Sequence, residues 1–312
     1  MAAEEVVIII DMLMDIDKLR YYLRGEDDEW LRNEAMRIRL KIKGEEILKR
    51  GLIEISNHCR NNCLYCGIRA EQRGVIRYRM SADEIVEMAH CAGKQGFGTV
   101  VLQGGEDPVH TAEWVAGVVS RIRTDLPEIA ITLSLGERSR EDYMLWKEAG
   151  ANRYLLRHET ATKEHYNKLH PAFMSFENRR RCLWTLKELG YETGAGMMVG
   201  SPYQTEDDLI NDLLFLEELQ PDMIGVGPFI HAEGTPFESF PDGSLQMTLR
   251  LISLLRIRHP NANIPATTAL AALHPNGREL GLLSGANVIM PNLTPQKYRE
   301  NYRLYDKKEI SE

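Results

Sequence analysis

From residue 52 onward, short apolar runs alternate with amphipathic stretches, and this alternation restricts the fold more than any other feature of the chain. The runs fall at 52–56, 98–102, 129–134, 153–157, 194–199, 222–226, 262–267 and 286–290. Stretches with helical spacing lie near 82–95, 111–124, 139–149, 162–168, 175–190, 205–219, 244–258 and 275–284. Strands alternating with helices give βα units and a parallel sheet. About eight such units predict an α/β fold closed into a (βα)8 TIM barrel. Capping boxes mark two helix starts, Ser81 with Glu84 and Thr205 with Asp208. Gly150 and Gly190 stand where helix C-caps are expected. Residues 1–50 read instead as a helical N-terminal extension, with Leu31, Ala35, Ile38 and Ile42 on one stripe, and 51–312 as the barrel domain.

A doubly wound open sheet would place a glycine-rich dinucleotide fingerprint after its first strand. Here that position holds Cys59, Cys63 and Cys66, spaced C-x-x-x-C-x-x-C. Three thiolates on one tight loop can hold three corners of a cubane 4Fe-4S cluster. Four cysteines are usual, so three leave one iron open for chemistry. Cysteines this close make poor disulfide staples. A zinc site wants a fourth Cys or His nearby; His58 is adjacent, but Cys91 and Cys182 fall in helical patterns. No cysteine follows Cys182, so one cluster is expected.

The net charge of −8 leaves no basic surplus to release counterions from nucleic acid. The apolar run 6–10 is far shorter than a membrane span and is followed by Asp11, with no basic leader or cleavage site. The expectation is a soluble protein of the reducing cytoplasm.

Barrel active sites lie at the C-terminal strand ends. The second strand ends in Gln103-Gly104-Gly105-Glu106-Asp107, where paired glycines let backbone approach a ligand. The third ends at Ser134, and the fourth runs into Arg157, His158 and Glu159. Charges directly after an apolar strand are costly to bury unpaired, so they pair with each other or face the cavity. Alternation turns His158 to the opposite face, toward a structural role. Thr267 and Thr268 close the seventh strand, where hydroxyls can bind a polar substrate. Tyr65, inside the cysteine loop, can cover the cluster from water or lay its ring against a ligand.

The cysteine spacing resembles that of the radical S-adenosylmethionine (SAM) enzymes. Residues 54–69, 102–108, 133–137, 154–160, 175–179, 194–196, 225–229, 264–268 and 286–292 resemble, more narrowly, the HydE family of FeFe-hydrogenase maturases. That resemblance implies that Cys59, Cys63 and Cys66 hold one 4Fe-4S cluster. Gly104, Gly105, Glu106, Ser134, Glu159 and Arg179 would then surround S-adenosyl-L-methionine, with Tyr65 beside them. Arg157, Thr267, Thr268, Tyr302 and Tyr305 would line the substrate cavity. It implies radical chemistry on a small organometallic substrate, a cysteine-bound iron complex carrying CO and cyanide. The expected partners are the maturases HydG and HydF and a reductant protein, without nucleic acid or membrane. Methylornithine synthase and biotin synthase resemble the same scaffold and act on organic substrates.

Overall fold

The structure, a computed structural model, describes residues 15–306; the apolar run 6–10 and the tail 307–312 lie outside the described residues. Six parallel strands follow one another in chain order: β2 (Gly51–Ser56), β3 (Thr99–Gly104), β4 (Ala130–Ser134), β5 (Arg153–Leu155), β6 (Glu192–Val199) and β7 (Met223–Pro228). Two further strands, β1 (Leu48–Lys49) and β8 (Val288–Ile289), pair in parallel. Backbone bonds join the open edges. Ile224 N–H donates to Asn263 O, Ala266 N–H to Val288 O, and Leu52 N–H to Pro291 O, which closes the barrel.

The seventh expected strand, 262–267, is reduced to isolated bridges, Met223 with Asn263 and Pro265 with Val288. Pro265 has no N–H to give a ladder, which keeps this segment short. The wall begins earlier than expected, at Leu48. The helix expected near 275–284 forms as Gly277–Leu283, and a further short helix, Thr268–Leu273, precedes it.

Both expected capping boxes form: the Ser81 and Thr205 hydroxyls accept from the N3 N–H, and Glu84 and Asp208 reach back to the cap. Gly150 and Gly190 adopt φ of 114° and 73°, where a side chain is strained. The helices Ile16–Arg24 and Asp28–Lys43 lie on the outside of the barrel. Leu31, Ala35 and Ile38 join the main core, Arg250 forks onto Asp28 at 2.6 and 2.9 Å, and Arg20 reaches Glu206 at 2.6 Å. Among the described residues no helix is long and apolar enough to cross a membrane.

Candidate active site

The cysteine loop leaves the C-terminal end of β2 and is fixed from behind by the loop after β3. Gly105 N–H donates to Ser56 O at 3.2 Å, and Arg60 N–H donates to Glu106 O at 3.0 Å. A Cβ on Gly105 would stand 2.3 Å from His58 O and 2.7 Å from the Cys59 Cβ. Only glycine fits between the two loops. Asp107 is fully buried: its carboxylate accepts from Ser56 Oγ at 2.7 Å, from Arg79 at 2.7 and 3.0 Å, and from Val109 N–H at 3.0 Å. Burial raises the Asp107 pKa, yet these donors outweigh it and hold the carboxyl down at about 2.

All three thiols are free and half-buried. Burial pushes the Cys66 thiol up to about 12, and Cys59 and Cys63 also upward. Without metal they are protonated, so iron must displace protons to bind. Among the described residues no three His, Cys, Asp or Glu side chains converge as one metal ion requires. A cubane takes each thiolate at a different iron, and three thiols without a fourth ligand fit that group.

Beside Cys66 a cavity of about 290 Å³ opens into the barrel. Eight of the residues expected around cofactor or substrate line it: Tyr65, Gly104, Ser134, Arg157, Glu159, Arg179, Tyr302 and Tyr305. Tyr65 is anchored by His170. The His170 Nδ1 bonds Tyr166 O at 2.9 Å, which leaves Nε2 to accept from the Tyr65 hydroxyl at 3.2 Å. Arg179 is buried with Glu137, Nε to Oε1 at 2.6 Å, and donates to Arg157 O at 2.7 Å. Glu159 takes φ 66°, an unusual conformation for a residue with a Cβ, and accepts from Arg157 at 2.8 Å. Left-handed strain of this kind collects at functional sites. The Arg157 Nε is buried without a partner.

The remaining expected residues sit elsewhere. Gly105 and Glu106 do not line the cavity. Glu106 is a buried brace, accepting from Glu137 N–H at 2.8 Å and from Arg60 Nε at 3.1 Å. Thr267 and Thr268 also stand back from the wall. Thr268 bonds the Tyr305 hydroxyl at 2.7 Å, and the Thr267 hydroxyl is buried unpartnered against Gly227. His158 is buried behind the wall, its Nδ1 accepting from Gly196 N–H at 3.3 Å and its Nε2 3.3 Å from Asp212. Gln103 was not anticipated: it lines the cavity and donates to the Tyr302 hydroxyl at 3.3 Å. Its inward parity with Ser134, its register partner on β4, was the available signal.

A sequence model of the Radical SAM superfamily matches residues 53–216, the segment carrying the cysteine loop and every cavity strand through β6. Over 278 residues the chain is 53% identical to the [FeFe] hydrogenase maturase subunit HydE of Thermotoga maritima, covering 88% of this chain and 79% of that protein. The chain is a radical SAM protein of the HydE family. Its cofactors are accordingly a 4Fe-4S cluster and SAM. This HydE-family chain is also 30% identical to the 3-methylornithine synthase of Methanosarcina acetivorans, over 96% of its own length and 85% of the relative. A crystal structure of methylornithine synthase (PylB) superposes with a TM-score of 0.82 at 29% identity, covering 90% of this chain and 85% of that one.

Proposed function

We propose that this HydE-family protein works in FeFe-hydrogenase maturation, on a cysteine-bound iron complex carrying CO and cyanide that is a precursor of the two-iron subcluster. The observation that carries this reading is one cavity reaching from Cys66 and Tyr65 to Arg157 and Tyr305, in a chain 53% identical to HydE. When bound, the cluster and SAM supply a 5′-deoxyadenosyl radical.

The chain's own residues hold and orient. Cys59, Cys63 and Cys66 are the cluster ligands. Gly104 and Ser134 offer main-chain and hydroxyl groups to SAM, and Glu159 and Arg179 offer charges of both signs. Gly105 and Glu106 act from behind, by fixing the cysteine loop. Arg157 takes the carboxylate of the cysteine moiety: its free Nε and the planar fork suit two oxygens, and the site then exchanges the Glu159 contact for substrate. Tyr302 and Tyr305 line the cavity, with Thr268 holding the Tyr305 hydroxyl in place. Thr267, with its hydroxyl buried against Gly227, acts from behind the wall and not on substrate directly. HydG would supply the substrate, HydF would receive the product, and a reductant protein would deliver electrons, all within the cytoplasm.

Arg157→Lys keeps the charge and loses the bidentate geometry. Substrate-dependent formation of 5′-deoxyadenosine should fall at least tenfold, roughly 1.4 kcal/mol, with the iron content unchanged. Turnover equal to wild type refutes the carboxylate role.

A further inference from the structure

Arg77 has no part in the site as described so far, yet it lies directly beneath the cysteine loop. Its guanidinium donates to four main-chain carbonyls: Asn57 O at 2.5 Å, Ile68 O at 2.8 Å, Arg69 O at 2.5 Å and Gln72 O at 3.2 Å. Asn57 precedes Cys59 by two residues and Ile68 follows Cys66 by two, so one side chain ties together the two ends of the cluster loop. Asn57 is itself held, donating to Ile76 O and Asn301 O and accepting from Tyr78 N–H.

The charge on Arg77 is unlike that of its neighbours. Arg79 is paired with Asp107, and Arg60 with Glu106. Arg77 has carbonyl partners and, among the described residues, no carboxylate. Half-buried and, among the described residues, without a carboxylate partner, it holds its positive charge against both ends of the loop that carries Cys59, Cys63 and Cys66. One-electron reduction of a cluster adds negative charge to the cluster–thiolate unit. A fixed cation alongside stabilises the reduced form more than the oxidised one, and net charge and hydrogen bonding are what set such potentials.

We propose that Arg77 is a positioning residue that clamps the cysteine loop and, as a cation without a carboxylate partner, raises the reduction potential of the cluster the loop holds. This rests on the assignment of the cluster to Cys59, Cys63 and Cys66. A guanidinium that merely tied the loop would act through geometry alone, so charge and geometry have to be varied separately. Arg77→Lys keeps the charge and loses the fork; Arg77→Gln loses both.

The experiment is anaerobic reconstitution of the full chain, iron analysis, and a redox titration with dithionite as the one-electron reductant, followed by electron paramagnetic resonance of the reduced cluster. Arg77→Gln should lower the reduced-to-oxidised ratio at a given solution potential by about tenfold, a shift of about 59 mV to more negative potential. Arg77→Lys should stay closer to wild type. A Gln variant that titrates like wild type overturns the proposal, as do Lys and Gln variants that shift equally. Should Arg77→Gln fail to retain a cluster, retention by Arg77→Lys supports the role of charge, and loss in both overturns it. Wild-type protein that binds no cubane would instead overturn the cysteine assignment, a separate failure.

Discussion

Replacing Gly105 with alanine puts a methyl group into the contact between the loop after β3 and the cysteine loop. The new Cβ meets His58 O at 2.3 Å, Cys59 Cβ at 2.7 Å and His58 C at 3.0 Å. To reach ordinary van der Waals distance the His58 carbonyl has to retreat by roughly 1 Å. These are backbone and ligand-bearing atoms rather than the end of a flexible side chain, so the cost falls toward the top of the range of about 1–3 kcal/mol for overpacking. Relief moves His58 and Cys59, and under the proposed assignment a cysteine so displaced would not meet its iron. The expected result is a folded protein with a lowered melting temperature that takes up far fewer than the roughly four irons of one cubane. Gly117, inside the helix Ala112–Asp125, is the control, because a Cβ there meets nothing within 4 Å. Gly117→Ala should load normally and gain roughly 0.5–1 kcal/mol. Full iron content and wild-type melting in Gly105→Ala would refute the close-approach argument.

Three further outcomes follow from the same geometry. Arg179→Met leaves the buried Glu137 carboxylate with Asn178 but no cation, and chemical denaturation should register a loss of about 3 kcal/mol, the low end of the cost of breaking a buried pair; a loss below about 1 kcal/mol would refute the stabilising role of the pair. The Asp107 carboxyl is depressed to about 2 from 3.8, so its contribution is complete above about pH 4 and is lost as pH falls toward 2. In a pH series of denaturation curves Asp107→Asn should be less stable than wild type at neutral pH, with the gap closing over that window; a gap independent of pH contradicts it. Glu159→Gly and Glu159→Ala both remove the carboxylate, but only Ala retains the left-handed strain at φ 66°, so Ala should be the less stable by about 1 kcal/mol while both weaken SAM binding. Unchanged SAM affinity in both would make Glu159 a purely structural partner of Arg157.

Much of the architecture was legible because it is written in local, periodic signals. The boxes at Ser81–Glu84 and Thr205–Asp208 use residues three apart, and strand ends such as Ser134 and Arg157–Glu159 are read from the switch between apolar and polar residues. The seventh strand misled for a local reason as well: residues 262–267 have strand-like composition, and a single Pro265 prevents a ladder. Position within the site was less legible. Gly104 and Gly105 look equivalent in sequence, yet one lines the cavity and the other abuts the cysteine loop, since β3 ends at Gly104 and Gly105 already belongs to the loop bonded to Ser56 O. Thr267 and Thr268 sit behind the wall because the chain turns into a helix there. Glu137 and Asp107 were passed over because their side-chain partners, Arg179 and Arg79, stand 42 and 28 residues away, and Arg77 because bonds to main-chain carbonyls leave no trace in residue type.

The central claim, that this cavity serves hydrogenase maturation, is tested most directly by supplying the reconstituted protein with SAM, a low-potential reductant and the cysteine-bound iron complex carrying CO and cyanide. Apo-hydrogenase, HydF and the other maturation components complete the assay, and hydrogen evolution is the readout. The account predicts active hydrogenase with wild-type protein and none with Cys63→Ala. Failure of the wild type to support maturation, together with conversion of lysine to 3-methylornithine, would contradict it.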